Sequence, residues 1–126
     1  MSKLIYEKMT YKIIGLAYEV DNAIGYGQKE KVYADSFEEL FKREKIAYIK
    51  EFYAPVKIND KIIAKRYFDF LVDDKIILEI KTGSDEYRKV CGQVFKYLKI
   101  SKLRLGLVVR FTKIGVKIKR IPNIRQ

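Results

Sequence analysis

Three charged residues fall inside stretches that otherwise read as strand interior. Asp69 lies within Tyr67-Phe68-Asp69-Phe70-Leu71-Val72, and Glu79 and Lys81 lie within Ile76-Ile77-Leu78-Glu79-Ile80-Lys81. A charge among such neighbours is costly unless it is paired or used. Residues two apart on a strand share a face at a separation of about 6.5–7 Å, so Glu79 and Lys81 point the same way and Ile80 enters the opposite layer. Asp69 joins them under one hairpin register. A two-residue loop at Asp73-Asp74 sets Asp69 against Leu78 and turns it to the wrong face, whereas a three-residue loop, 73–75, sets it directly opposite Glu79. The longer loop or a bulge is therefore expected. Directly opposed carboxylates repel each other, and a divalent cation between them relieves that repulsion. With oxygen as the only ligand type, Mg²⁺ or Mn²⁺ is the expected ion.

Composition narrows the chemistry further. The 126 residues include no His and one Cys, Cys91. Imidazole-based triads, HExxH zinc sites and His-dependent nuclease mechanisms are excluded, as are an internal disulfide and a CxxC thiolate site. Cys91 reads as a small buried apolar residue. The start of the chain, MSKLIYEKMTYK, lacks the apolar run of a signal peptide, and no stretch reaches the roughly 20 apolar residues of a membrane span. A soluble, cytoplasmic protein with no membrane partner is expected.

The elements that must position these residues can be read from periodicity. Leu4, Ile5, Met9, Ile13, Leu16, Ala17, Val20 and Ile24 recur at helical spacing, which predicts an N-terminal helix within 1–24. Gly25-Tyr26-Gly27 interrupts it, and these glycines suit a turn between helices rather than a phosphate loop, since no strand precedes them. Val32, Tyr33, Phe37, Leu40 and Phe41 predict a second helix ending near Lys45. Strands are expected over Ile46–Ile58, with Pro55 marking an edge or bulge, over Ile62–Val72 and over Lys75–Lys81, with turns at Asn59-Asp60 and Asp73-Asp74. The loop from Thr82 to Asp85 introduces a helix over Glu86–Leu98, and strands over Leu103–Phe111 and Val116–Ile121 follow. The order α-α-β-β-β-α-β-β, without repeat or linker, predicts a single α/β domain over 1–126 with a mixed central sheet flanked by helices.

The formal net charge is +11, and its distribution is uneven. The last 28 residues, from Lys99, hold nine basic residues and no acid, so they contribute +9. Either this is a solvated strand face or it is a surface for phosphate backbones, with Lys113, Lys117, Lys119 and Arg120 as candidate nucleic-acid contacts.

Asp69 followed ten residues later by Glu79-Ile80-Lys81 resembles the D…(D/E)xK core of the PD-(D/E)XK nuclease superfamily. Gly27-Gln28-Lys29-Glu30-Lys31-Val32-Tyr33 resembles the motif of the GxxExxY protein family, a small bacterial and archaeal group placed in that superfamily. The likeness runs from about Ile24 to Ile121. The proline of the superfamily name is absent, since Phe68 precedes Asp69. The resemblance implies a restriction-endonuclease-like fold and metal-dependent hydrolysis of phosphodiester bonds in DNA, with RNA and branched DNA as further substrates. Asp69, Glu79 and Glu30 would hold Mg²⁺ or Mn²⁺, and Lys81 would orient the attacking water and stabilise charge on the phosphate. Tyr33, three residues after Glu30, and the Gln93 and Tyr97 pair would border the site; the two tyrosines read equally well as core aromatics with a bonded hydroxyl. By analogy with small relatives of this fold that cut branched DNA, a homodimer is implied. The alternative is a non-catalytic nucleic-acid-binding module, or a partner-dependent subunit, that keeps the nuclease fold.

Overall fold

In the computed structural model the residues described are 4–83 and 87–124. Helix α1 (Glu7–Ile24) buries Ile13, Leu16, Ala17 and Val20 on one stripe, and helix α2 (Glu30–Glu44) buries Tyr33, Phe37 and Phe41 at four-residue spacing. Strand β1 is Tyr48–Tyr53, β2 Val56–Ile58, β3 Lys61–Ala64, β4 Tyr67–Val72 and β5 Ile76–Thr82; helix α3 (Tyr87–Ser101) leads to β6 (Leu105–Thr112) and β7 (Gly115–Pro122). The main sheet has the order β1-β4-β5-β6-β7. Only β5 and β6 are parallel, and α3 forms the crossover between them, so the sheet is mixed as expected.

Helices α1 and α2 cover one face of the sheet, packing on Phe70, Ile76, Leu78, Ile80, Leu107 and Phe111. Helix α3 covers the other with Val90, Val94 and Leu98 on Ile77 and Val108. A Cβ at Gly106 would overlap Val94, which lets α3 lie close on β6. Strands β5 and β6 are buried on both faces and hence almost continuously apolar. Glu79, Lys81 and Arg110 are half-buried interruptions of those runs.

Two predicted strands are each divided. The segment Ile46–Ile58 breaks at Ala54-Pro55 and the segment Ile62–Val72 at Lys65-Arg66. Pro55 has no N–H to donate, and beyond the bond from the Ala54 N–H to the Arg66 carbonyl (2.7 Å) the chain continues as a separate β2–β3 ribbon with a bulge at Val56/Lys57. Its turn, Asn59-Asp60, has both residues left-handed, the geometry a two-residue hairpin requires. The first helix begins at Glu7, later than its apolar pattern, and β5 begins at Ile76 because Lys75 belongs to the preceding loop. Helix α3 runs past Leu98 to Ser101, where the buried Asn123 amide donates to the carbonyls of Leu98 and Leu103. The predicted start of that helix at Glu86, and residues 84–85 of the loop before it, lie outside the described residues, as does Arg125. No helix among the described residues is long and apolar enough to cross a membrane.

Candidate active site

The hairpin between β4 and β5 has the register on which the site depends. Val72 pairs with Ile76, Leu71 with Ile77 and Phe70 with Leu78, leaving a three-residue loop, 73–75. One further step puts Asp69 opposite Glu79. There the two strands are joined through side chains. The Asp69 N–H donates to Glu79 Oε1 at 2.6 Å, and the Ile80 N–H donates to Asp69 Oδ2 at 2.7 Å.

These carboxyl groups are short of solvent and close to each other. Burial pushes Glu79 up to about 8, and the charge of Asp69 adds to the rise. Burial raises Asp69 as well, against the opposing effect of the Ile80 N–H. In the field of the protein's own groups the pair therefore retains a proton at neutral pH. Such a pair suits a hard divalent cation, which replaces the proton and removes the mutual repulsion. Mg²⁺ in particular is commonly held by one or two carboxylates, with water and substrate phosphate completing its shell.

Glu30, at the first position of α2, does not join the pair. Its Oε2 accepts the Thr82 N–H at 3.3 Å, and its Oε1 lies 3.8 Å from Lys81 Nζ. Among the described residues no three Asp, Glu, Cys or His side chains form a metal-holding cluster. Glu30 and Asp69 nevertheless line one cleft of about 310 Å³, together with Lys50 and Glu51. A larger cleft of about 490 Å³ lies between the start of α1 and the 73–75 loop, away from the acid pair.

Tyr33 is fully buried rather than bordering open space. Its ring stacks on Phe111 with centroids 4.0 Å apart, its hydroxyl donates to the Gly25 carbonyl at 2.6 Å, and the same oxygen accepts the Gln28 N–H at 3.3 Å. It thus fastens the α1–α2 loop, in which Gly27 has a left-handed φ of 104°, and so fixes where α2 and Glu30 begin. Tyr97 is also a packing residue, set against Phe52 and Phe68 on the α3 side. Gln93 lies half-buried on α3.

The basic candidates divide. Lys113, Lys117 and Lys119 are exposed. Arg120 instead donates to Thr10 Oγ1 at 2.9 Å and to the Ile5 carbonyl at 2.6 Å, which ties β7 to α1. Its partners are intramolecular, because even-numbered positions of β7 face α1 while Lys117 and Lys119 face the other side.

Glu51 did not stand out in the sequence. It lies between the pairs Lys50–Phe70 and Phe52–Phe68, opposite Asp69, with a left-handed φ of 53°. At this level both strands change face. Tyr48 and Phe70 pack under α1 and α2, whereas Phe52 and Phe68 pack under α3. The change of face brings Asp69 to the cleft despite buried phenylalanines on either side of it.

A mixed sheet with a parallel central pair, a crossover helix and an acid pair plus lysine on adjacent strands is the architecture of a restriction-endonuclease-like domain. The profile of the PD-(D/E)XK nuclease superfamily matches residues 7–121, and the chain belongs to that superfamily. The fold is similar to that in the crystal structure of SSO0001, with a TM-score of 0.55 and 18% identity over 95% of this chain. The match spans 61% of the length of SSO0001. No curated protein matches the chain significantly.

Proposed function

We propose that this domain is a metal-dependent nuclease of the GxxExxY group, acting on DNA, with RNA and branched DNA as further candidate substrates. The reciprocal bonding of Asp69 and Glu79, with Lys81 on the same strand face as Glu79, is the observation that carries this reading. Asp69 and Glu79 would hold Mg²⁺ or Mn²⁺, and the superfamily generally uses divalent metals. The bound ion supplies polarisation of a phosphoryl oxygen and a water of lowered pKa for in-line attack. Lys81, a compact cation on a rigid strand, positions the attacking water and offsets the charge that grows on the phosphate. Glu30 pairs with the Lys81 ammonium and, lining the same cleft as Asp69, would be the third carboxylate available to hold the ion. Lys113, Lys117 and Lys119 give the exposed basic surface for the nucleic-acid backbone. A homodimer in the cytoplasm is the working assembly and location for this reading.

A second reading is a nucleic-acid-binding module without turnover, favoured by the pairing of Glu30 with Lys81 instead of with the two buried acids. Cleavage of single-stranded, duplex and branched DNA in Mg²⁺ or Mn²⁺ decides between them. Cleavage that disappears in both Lys81→Ala and Asp69→Asn is expected. Salt-sensitive binding with no cleavage by any of the proteins would establish the binding module.

A further inference from the structure

Lys81 is one of three cations in a row across the sheet. In the parallel β5–β6 pair it stands beside Arg110, and in the antiparallel β6–β7 pair Arg110 stands beside Lys117. Residues in register share a face, and the neighbouring positions Ile77 and Val108 place this row on the α3 side. At strand spacing the three positions span about 10 Å. The row becomes more exposed outward: Lys81 and Arg110 are half-buried, and Lys117 on the edge strand is open to solvent.

The middle cation is built in rather than loose. The Arg110 guanidinium lies 3.9 Å from the centroid of Tyr87, the first residue of α3, and its Nε is buried with no hydrogen-bond partner among the described residues. Among the described residues no carboxylate pairs with Arg110 or Lys117, whereas Lys81 is within 3.8 Å of Glu30. Among the described residues, this half-buried guanidinium over an aromatic ring, with an orphaned donor and a cation in register on either side, has no charge partner. The complementary group is a polyanionic backbone carrying an oxygen fork of phosphate geometry.

We infer that Arg110, braced by Tyr87 and continued by Lys117, is a phosphate-binding subsite that takes the nucleic-acid phosphate next to the one facing Lys81 and leads the strand toward β7. The inference rests on the nuclease reading of the Asp69, Glu79 and Lys81 site and adds the direction in which the strand leaves it. Arg110 is a binding residue here, and the chemistry stays with the acid pair and Lys81.

The test is fluorescence anisotropy with a fluorescein-labelled DNA duplex in Ca²⁺ across a salt series, with cleavage in Mg²⁺ measured in parallel. Arg110→Gln is expected to raise Kd about tenfold and to reduce the salt slope by about one. Arg110→Lys keeps the slope and recovers only part of the affinity, because the fork and the stack are lost. Lys117→Gln, at an exposed position that does not threaten folding, raises Kd about threefold, and Tyr87→Leu weakens binding without changing the slope. Wild-type Kd and slope in both Arg110→Gln and Lys117→Gln, in proteins with unchanged thermal melts, overturn the subsite; should Arg110→Gln fail to fold, the same result in Lys117→Gln and Tyr87→Leu overturns it. If wild type binds and cleaves while these variants match it, only the subsite falls. If wild type binds without cleaving and Arg110→Gln is weakened, the subsite stands and the nuclease reading falls. Wild type that neither binds nor cleaves removes both.

Discussion

Glu79 accepts the backbone N–H of Asp69 at 2.6 Å while Asp69 accepts that of Ile80 at 2.7 Å, so each acid satisfies the strand that carries the other. The exchange leaves two carboxyl groups side by side in a poorly solvated place. Glu79 rises to about 8 as a result. An acid whose pKa is higher folded than unfolded costs nothing while protonated in both states. Its penalty grows from the unfolded value, near 4.5, up to the folded value near 8, and is complete above that.

Glu79→Gln should therefore stabilise the protein in EDTA at pH 8, by on the order of 2 kcal/mol, and leave it unchanged below about pH 4. Urea unfolding across this range measures the difference. On the metal-dependent reading a divalent ion should reverse the ranking, because Glu79 would help to hold it and the Gln variant would lose that ligand. A Glu79→Gln protein that is less stable than wild type in EDTA at pH 8 would contradict the burial argument.

The Tyr33 hydroxyl joins the α1–α2 loop through the Gly25 carbonyl and the Gln28 N–H. Tyr33→Phe keeps the stack on Phe111 and removes only those bonds. The expected loss is about 1–2 kcal/mol in urea unfolding with an unchanged m-value. Because the same loop sets the start of α2, cleavage should fall more than nucleic-acid affinity does. Equal loss of both would mean that the loop does not position Glu30.

Lys50 connects β1 to α2 by donating to Asp35 at 2.6 Å and Glu38 at 3.0 Å, and Tyr48 donates to Glu38 at 2.8 Å. The Lys31 ammonium, followed by that of Lys50, holds Asp35 down to about 2. A depressed acid contributes stability above its unfolded pKa and loses it as pH falls through the folded one. Asp35→Asn should lower the Tm by a few degrees at pH 6, and the difference should close between pH 4 and pH 2. Lys31 is exposed and Asp35, Glu38 and Lys50 are half-buried, so high salt should shrink part of the difference as well. A gap that persists at pH 2 would assign the effect to packing.

Much of the site was legible because strands have a strict period of two. The parity of Asp69, Glu79 and Lys81 required a loop of 73–75, and that loop is present. The helix stripes were equally plain, since Tyr33, Phe37 and Phe41 recur at one turn. Less legible was whatever depends on a break in periodicity. Glu51 adopts a left-handed backbone with no glycine or asparagine to announce it, and the consequent change of face in β1 and β4 has no local signal. The parting of β2 and β3 from the main sheet was visible only in Pro55, whose missing N–H marks where pairing stops. Arg120 and Lys119 are adjacent and equally basic, and only the side of β7 on which each falls separates a structural tie from an exposed charge.

That separation gives a paired prediction. Arg120→Gln removes donors from Thr10 Oγ1 and from the Ile5 carbonyl and loosens α1 from β7, so it should cost about 1–2 kcal/mol in urea unfolding. Its affinity for a DNA duplex, measured well below the transition, should stay near that of wild type, because the guanidinium is already engaged inside the molecule. Lys119→Gln should behave in the opposite way, with stability within about 0.5 kcal/mol of wild type and a salt slope of binding reduced by about one. The two substitutions remove the same charge from neighbouring positions, so a uniform basic surface predicts equal effects on binding. Equal slopes for the two variants would show that the charge of β7 acts as a whole and not by the face on which each side chain falls.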